Sequence, residues 1–240
     1  MKVEIFVPCF NEEKNINPLV DSWSKAIKTA EGYELFVTFI DNGSSDSTNN
    51  ELNKSISSYN EKNFKTLTKA KNTGYGSGIM YGITKSNSNF VGWAHADLQF
   101  DSNEVVNKLN ETFNKIDINQ KILLVGSRRN RSIFDIFFTN FMSYIVWIFT
   151  KVYVADINGQ PKLFNKDLLD ELNKPPDNFN LDLYLVLKAS KLKYKIVRMD
   201  INFKNRIFES AKGGGTFLGK IKLSLAVLKY LFNIKFYDKN

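Results

Sequence analysis

Short apolar runs alternate with helix-patterned stretches through the first 131 residues, and this alternation restricts the fold more than any other feature. The runs occupy residues 3–7, 35–40, 64–68, 90–94 and 122–125. Each is too short for a helix and reads as a strand. Between them, helical patterning covers residues 15–30, a stretch capped by Ser45 or Ser47 and running to Tyr59, one ending near Ser86, and residues 103–115 behind a cap at Asp101 or Ser102. Glu12 and Glu13 suit the positive end of the first helix. Strands and helices repeated at this spacing predict a mostly parallel sheet with helices on both faces. The chain shows no internal repeat or Pro/Gly/Ser-rich linker, and 240 residues with 43% hydrophobic content can bury one sizeable core.

The central run ends in polar residues, FVGWAHADLQFD over residues 90–101. His95, Asp97 and Gln99 stand at alternate positions, so a continued strand points all of them the same way. In open α/β sheets, ligands bind at the carboxyl ends of strands. A carboxylate, an amide oxygen and an imidazole at that place suit a divalent cation bound to a phosphate. An Asx-type turn is the plain alternative. Two other strand ends carry compatible chemistry. Backbone amides and a carboxylate lie near residues 8–13, and Asp41 can accept hydrogen bonds from a base or a ribose beside the turn at Asn42-Gly43.

A net charge of +8 favours a polyanionic neighbour: nucleic acid, an anionic membrane or a phosphate-bearing substrate. The basic residues follow no nucleic-acid module and are not interleaved with aromatics on a strand face, which argues against nucleic acid. A single cysteine, Cys9, excludes an internal disulfide framework and fits a reducing cytoplasm. It reads as a small buried residue, since the one histidine is far from it in sequence. The first residues, interrupted by Glu4 and Pro8, read as a strand and not a signal peptide. Residues 133–154 are crowded with Phe, Tyr, Trp and Ile, but the uncharged run 136–150 is shorter than the roughly 20 residues a membrane span needs. This segment reads as one or two helices lying in a membrane interface or on a partner, or else as a core helix. A basic amphipathic tail, residues 216–240, suits a membrane surface or a closing helix on the core.

The ordered motifs carry a resemblance. FVPCFNEEKNI (6–16), FIDNGSSDST (39–48), KNTGYGSG (71–78), HADLQ (95–99) and VGSRRNR (125–131) resemble glycosyltransferase family 2, the nucleotide-sugar enzymes of the GT-A fold. Within it, DINGQPKLF (156–164) and FKNRIFESAKGG (203–214) make the chain look most like the dolichyl- or polyprenyl-phosphate sugar synthases. The resemblance implies a Rossmann-like α/β GT-A domain over residues 1–215, followed by the helical tail. It implies a donor pocket for a UDP- or GDP-sugar lined by Pro8, Asn11, Glu12, Asp41, Gly43, Lys71, Gly74, His95, Ala96, Asp97, Arg128 and Arg129. Asp97 and Gln99, with His95, would hold Mg²⁺ or Mn²⁺ against the diphosphate. Arg128, Arg129 or Arg131, with Arg206 and Lys212, would grip donor and acceptor phosphates. Asp156 and Asp182 are the candidate bases, each with a structural alternative as a turn or helix-start residue.

One position departs from the family: the first Asp of its metal motif is His95 here. A neutral imidazole can bind Mn²⁺ but suits Mg²⁺ less well. His95 can equally contact ribose or phosphate, or be structural. The acceptor turns on the need for a base. A sugar hydroxyl requires one, whereas a lipid phosphate is already anionic. The expected function is therefore inverting sugar transfer to a polyprenyl phosphate by a protein held peripherally at the cytoplasmic membrane face. A homo-oligomer is allowed. The rivals are transfer to a hydroxyl of a polysaccharide or glycolipid, and a non-catalytic nucleotide-sugar binding protein.

Overall fold

The computed structural model describes residues 1–59, 61–204, 206 and 217–237. Its strands are β1 (Lys2–Cys9), β2 (Glu34–Asp41), β3 (Phe64–Thr68), β4 (Phe90–Trp93), β5 (Ile122–Arg129), β6 (Lys162–Asn165) and β7 (Lys195–Asn202). The helices are α1 (Glu13–Ile27), α2 (Thr48–Tyr59), α3 (Tyr75–Ile83), α4 (Ser102–Phe113), α5 (Ile133–Thr150), α6 (Asn180–Lys191) and α7 (Phe217–Tyr237), with a short 3-10 helix at Lys166–Glu171. The strands form one sheet in the order β3-β2-β1-β4-β6-β5-β7. Only β6 runs against its neighbours; the remaining pairs are parallel. The expectation of a mostly parallel sheet flanked by helices holds, and the architecture is that of the GT-A fold.

Strand order positions the site. β1 connects through α1 to β2 on one side, while β4 pairs with its other side. The loops leaving β1 and β4 therefore diverge, and a crevice opens beyond their carboxyl ends. Burial on both faces explains the near-continuous apolar strands. Val3, Ile5 and Val7 pack with Ile16, Leu19 and Trp23 of α1 and with α4. Phe6, Val91 and Trp93 face α3, α5 and α6. Among these apolar residues Glu4 is buried, accepting hydrogen bonds from Thr38 at 2.7 Å and from Ser86 and Ser88. The antiparallel β6 fits tightly: a Cβ on Gly92 would lie 1.9 Å from the Lys162 carbonyl oxygen, so only glycine allows the two backbones to approach this closely.

Several boundaries differ from the pattern-based expectation. α1 spans Glu13–Ile27 and so begins and ends earlier than 15–30. The first N–H of α2 is taken by the Asp46 carboxylate at 3.0 Å, and not by a serine hydroxyl. The cap at Asp101 is as expected, accepting from Asn103 N. The chain leaves strand geometry after Trp93, and Leu98 adopts a left-handed backbone with φ 56°. His95, Asp97 and Gln99 are thus brought together by a turn, in which Asp97 Oδ1 accepts from Gln99 N at 3.3 Å, and not by strand alternation. β6 and the 3-10 helix go beyond the sequence reading, because a four-residue strand that opens on a lysine gives too little period to read.

The aromatic segment is a single helix. α5 starts at a Ser132 cap and ends where Lys151 turns left-handed. Met142, Ser143 and Val146 are buried beneath it, but Phe134 and Phe137 are 84% and 70% exposed. Among the described residues it is the one helix long and apolar enough to cross a membrane by length and composition. α7 packs on α5 and α6; Leu231 is buried, and Phe232 meets Phe149 edge-on at 4.9 Å. The tail therefore covers core while keeping Leu225 and Phe232 exposed.

Candidate active site

Three loops at the carboxyl ends of β1, β2 and β3 form one wall of the crevice. They are tied to each other before any ligand arrives. Asn11 N donates to Ser44 Oγ at 3.0 Å, and Asn11 Oδ1 accepts from Ser45 N at 2.8 Å. Glu12 N donates to Thr48 Oγ1 at 2.8 Å. Asp41 spends its carboxylate on the turn itself, accepting from Ser44 N at 3.0 Å and Asn49 Nδ2 at 3.0 Å. Asn42 instead faces the cleft, donating from Nδ2 to the Gly74 carbonyl at 3.1 Å while its buried Oδ1 lacks a partner. Gly43, at φ 72°, presses the turn against the Lys71–Asn72 backbone, where a Cβ would lie 2.4 Å from Asn72 N.

The opposite wall begins at the end of β4. Asp97 Oδ2 accepts from Arg206 Nη2 at 2.8 Å and Nε at 3.1 Å. The His95 Nδ1 is 4.0 Å from that same oxygen, and its Nε2 lies 3.1 Å from the Tyr75 hydroxyl. Burial holds the imidazole pKa below its ordinary value despite the adjacent Asp97, so the ring is neutral near pH 7. Gln99 donates its side-chain N–H to the Lys204 carbonyl at 3.2 Å and so keeps its amide oxygen out of that bond. Lys204 is thereby laced across this loop, its backbone N donating to Gln99 O at 2.7 Å.

Cationic groups come next. Arg128 at the end of β5 is held by Asp156, which accepts from Arg128 N at 2.9 Å and from the guanidinium Nε and Nη2. Arg131 lies 3.6 Å from the same carboxylate. Burial pushes the Asp156 pKa up, but the Arg128 hydrogen bonds and charge outweigh it and leave the group below the usual carboxylate range. Asp156 is thus a fixed anion that orients Arg128. Arg129 points away, paired with Asp200 on the surface at 2.7 Å.

Beneath the cleft runs a buried polar network. Asp182 Oδ1 accepts from Trp93 Nε1 at 3.1 Å and Gln160 Nε2 at 2.9 Å, and lies 2.9 Å from Lys162 Nζ. Lys162 also donates to the carbonyls of Ile157 and Gly159. Its burial depresses the ammonium pKa, opposed by Asp182. Gln160 Nε2 reaches the Tyr75 hydroxyl at 3.3 Å, connecting this network to His95. The hydroxyl of Tyr75 stays protonated, its pKa raised well above normal by burial and then by the Asp182 charge.

The walls enclose a cleft of about 720 Å³. Of the residues singled out from sequence, Pro8, Glu12, Gly74, His95, Ala96, Asp97, Gln99, Arg128, Arg131, Asp182 and Arg206 line it. Asn11, Asp41, Gly43 and Asp156 support its walls from behind; Lys71 backs the Gly43 turn, and Arg129 lies outside. Lys212 lies outside the described residues. Sequence reasoning missed Asn42, Tyr75 and the Gln160–Lys162 pair. A lysine inside an apolar run beside proline was the available signal for the last. It also missed the far end of the cleft, where Phe138, Thr139 and Met142 of α5 oppose Leu223, Ser224 and Val227 of α7.

Among the described residues, no group of three or more His, Cys, Asp or Glu side chains forms an ion cage. The set present is one carboxylate, one amide and one imidazole. This fits an ion that takes most of its oxygens from a bound diphosphate, as Mg²⁺ commonly does. Asp97 Oδ2 and His95 Nδ1, 4.0 Å apart, are within reach of one ion at bonds of about 2.1 Å.

Comparison with known proteins agrees with this geometry. The human dolichyl-phosphate beta-glucosyltransferase is 24% identical over 220 residues, covering 84% of this chain and 67% of that protein. The fold superposes on the mannosyltransferase PcManGT from Pyrobaculum calidifontis, solved with GDP-Man and Mn²⁺, with TM-score 0.63 and 15% identity over 89% of this chain. This chain spans 58% of that protein's length. Glucosyl-3-phosphoglycerate synthase from Mycobacterium tuberculosis gives TM-score 0.67 at 15% identity, covering 97% of this chain and 80% of the other. The glycosyl transferase family 2 model matches residues 4–172, well over half the sequence, so the chain belongs to glycosyl transferase family 2.

Proposed function

We propose that this protein transfers a sugar from a UDP- or GDP-sugar, with inversion, to the phosphate of a polyprenyl phosphate at the cytoplasmic face of a membrane. One observation carries the reading. The cleft is continuous from the donor loops, past Arg128, Arg131 and Arg206, into an apolar trough between α5 and α7. A phosphate head would rest among the guanidiniums, which bind such oxygens in pairs. A hydrocarbon chain would follow Phe138, Met142, Leu223 and Val227 toward the exposed aromatic face of α5. In this reading residues 1–215 are the transferase domain, and the tail supplies one wall of the trough.

The roles follow from the contacts. Pro8, Glu12, Asn42 and Gly74 bound the nucleoside end, with Asn11, Asp41, Gly43 and Lys71 fixing the loops. Asp97 and Gln99, with His95, would hold Mg²⁺ or Mn²⁺, which when bound neutralises the departing diphosphate as a Lewis acid. Asp156 keeps the Arg128 guanidinium aimed at the acceptor phosphate. That phosphate is anionic at neutral pH and needs no base, which suits a site where Asp156 and Asp182 are both ion-paired.

The test is a donor screen on the purified protein with each UDP- or GDP-sugar, with Mn²⁺, Mg²⁺ or EDTA, and with or without short-chain polyprenyl phosphate. Nucleoside diphosphate should be released only with the lipid phosphate, and EDTA should abolish it. Release dependent on a sugar hydroxyl instead would select a second reading, favoured by Asp182 Oδ2, a buried carboxylate oxygen without a hydrogen-bond partner. The membrane part has its own check. Phe134→Ser with Phe137→Ser removes two large exposed rings outside the cleft, each worth about 1.5–3 kcal/mol when buried. The double variant should lose at least ~10-fold in vesicle binding while keeping its turnover of the short-chain acceptor; undiminished vesicle binding would remove α5 as the contact.

A further inference from the structure

Both hydrogen-bonding nitrogens of Arg206 that reach Asp97 converge on one oxygen, Oδ2. The other oxygen, Oδ1, is committed to the Gln99 backbone in the turn that shapes the loop. Oδ2 is the oxygen left free by that turn, and it is the one that faces His95 Nδ1 at 4.0 Å. A guanidinium already occupies that oxygen. Among the described residues Arg206 pairs with no second carboxylate, and it lies in the same cleft as Arg128 and Arg131. Its position is held from behind by Lys204, which exchanges two hydrogen bonds with Gln99.

We propose that Arg206 is the resident counter-ion of Asp97 and competes with the divalent cation for Oδ2, so that ion and donor bind together and release Arg206 to the phosphates. The inference rests on Asp97 being an ion ligand, as argued above, and adds how that ligand is controlled. Without diphosphate, an arriving dication must displace a bidentate charge partner and tolerate a guanidinium a few ångströms away. With diphosphate bound, the guanidinium gains a richer anion to pair with, and Oδ2 is freed. Ion and nucleotide are then coupled through one arginine, and by linkage the coupling is equal in both directions. The arrangement discourages idle metal binding in the empty enzyme and brings a cation to the phosphates when the donor arrives.

The experiment measures Mn²⁺ binding to the full chain by the loss of the free-ion paramagnetic resonance signal, alone and with UDP or GDP. The proteins are wild type, Arg206→Gln, Arg206→Lys and Asp97→Asn. Arg206→Gln should bind Mn²⁺ alone about tenfold more tightly than wild type, since a nearby like charge has been removed. The same variant should gain less Mn²⁺ affinity on adding the nucleotide, and its turnover should fall. Opposite directions for ion binding and turnover are what a merely structural arginine would not produce. Arg206→Lys keeps the charge with one point of attachment and should lie between the two, which guards against a folding defect in the glutamine variant. Equal or weaker Mn²⁺ binding by Arg206→Gln, with Asp97→Asn still losing the ion, would overturn the competition and leave the ion site standing. Unchanged Mn²⁺ binding by Asp97→Asn would overturn both.

Discussion

Asp97→Asn should lower acceptor-dependent release of nucleoside diphosphate by about a thousandfold or more, the scale of losing one principal electrostatic stabiliser of a departing anion. Among the described residues, Asp97 is the one carboxylate that the loop after β4 presents to the cleft, and two others of the cleft region, Asp156 and Asp182, are bound to Arg128 and Lys162. Nothing else at that wall can replace its charge. The fold should be indifferent to the change. Asp97 is partly exposed, its pairing with Arg206 is at the cleft surface, and such pairs contribute roughly 0–1 kcal/mol. The isosteric amide also keeps an oxygen for the Gln99 N–H that shapes the turn. Turnover measured beside a thermal melt separates the two effects. A variant that melts like wild type and retains turnover within tenfold would remove Asp97 from the centre of the reaction.

The donor side was largely legible in the sequence, because each piece of it is local. A strand followed by a turn and a helix start can be read from a dozen residues, as at 6–16 and 39–48, and the topology of an open sheet then brings such ends together. Even there, only the neighbourhood was readable. Asp41 and Asn42 are adjacent, yet the loop spends Asp41 on Ser44 and Asn49 and gives Asn42 to the cleft. Which of two neighbouring polar residues faces a ligand depends on the turn's dihedral angles, and these are not set by spacing. His95, Asp97 and Gln99 do share the cleft, but through a left-handed residue at Leu98 and not by strand alternation. The far end of the cleft, where we place the acceptor, was illegible for a different reason. The trough joins α5 to a helix some seventy residues later, and the polar floor joins Trp93, Gln160, Lys162 and Asp182 across three elements. No periodicity within a segment reports on such pairings. α5 was ambiguous because its two sides differ: Val146 is buried, while Phe134 is open to solvent.

The largest stability effect should come from that polar floor. Asp182→Ala leaves the fully buried Lys162 ammonium with only two carbonyl acceptors. Breaking a buried pair by removing one partner costs about 3–5 kcal/mol, which for a chain of this size lowers Tm by roughly 6–20 °C. Removing both charges should undo much of the loss. In Asp182→Leu with Lys162→Met no ion is stranded, although Trp93 and Gln160 lose an acceptor, and the pair should melt well above Asp182→Ala. A double variant no more stable than the single one would mean that the pairing is not what holds this floor. Asp182→Asn then separates structure from chemistry, since its amide oxygen still accepts from Trp93 and Gln160. If a lipid phosphate is the nucleophile, this variant should turn over within about tenfold of wild type below its melting temperature. If a sugar hydroxyl must be deprotonated by Asp182, turnover should fall by about 10²–10⁴. The first outcome makes Asp182 a buried anchor for Lys162; the second makes it the base and moves the acceptor from a phosphate to a hydroxyl.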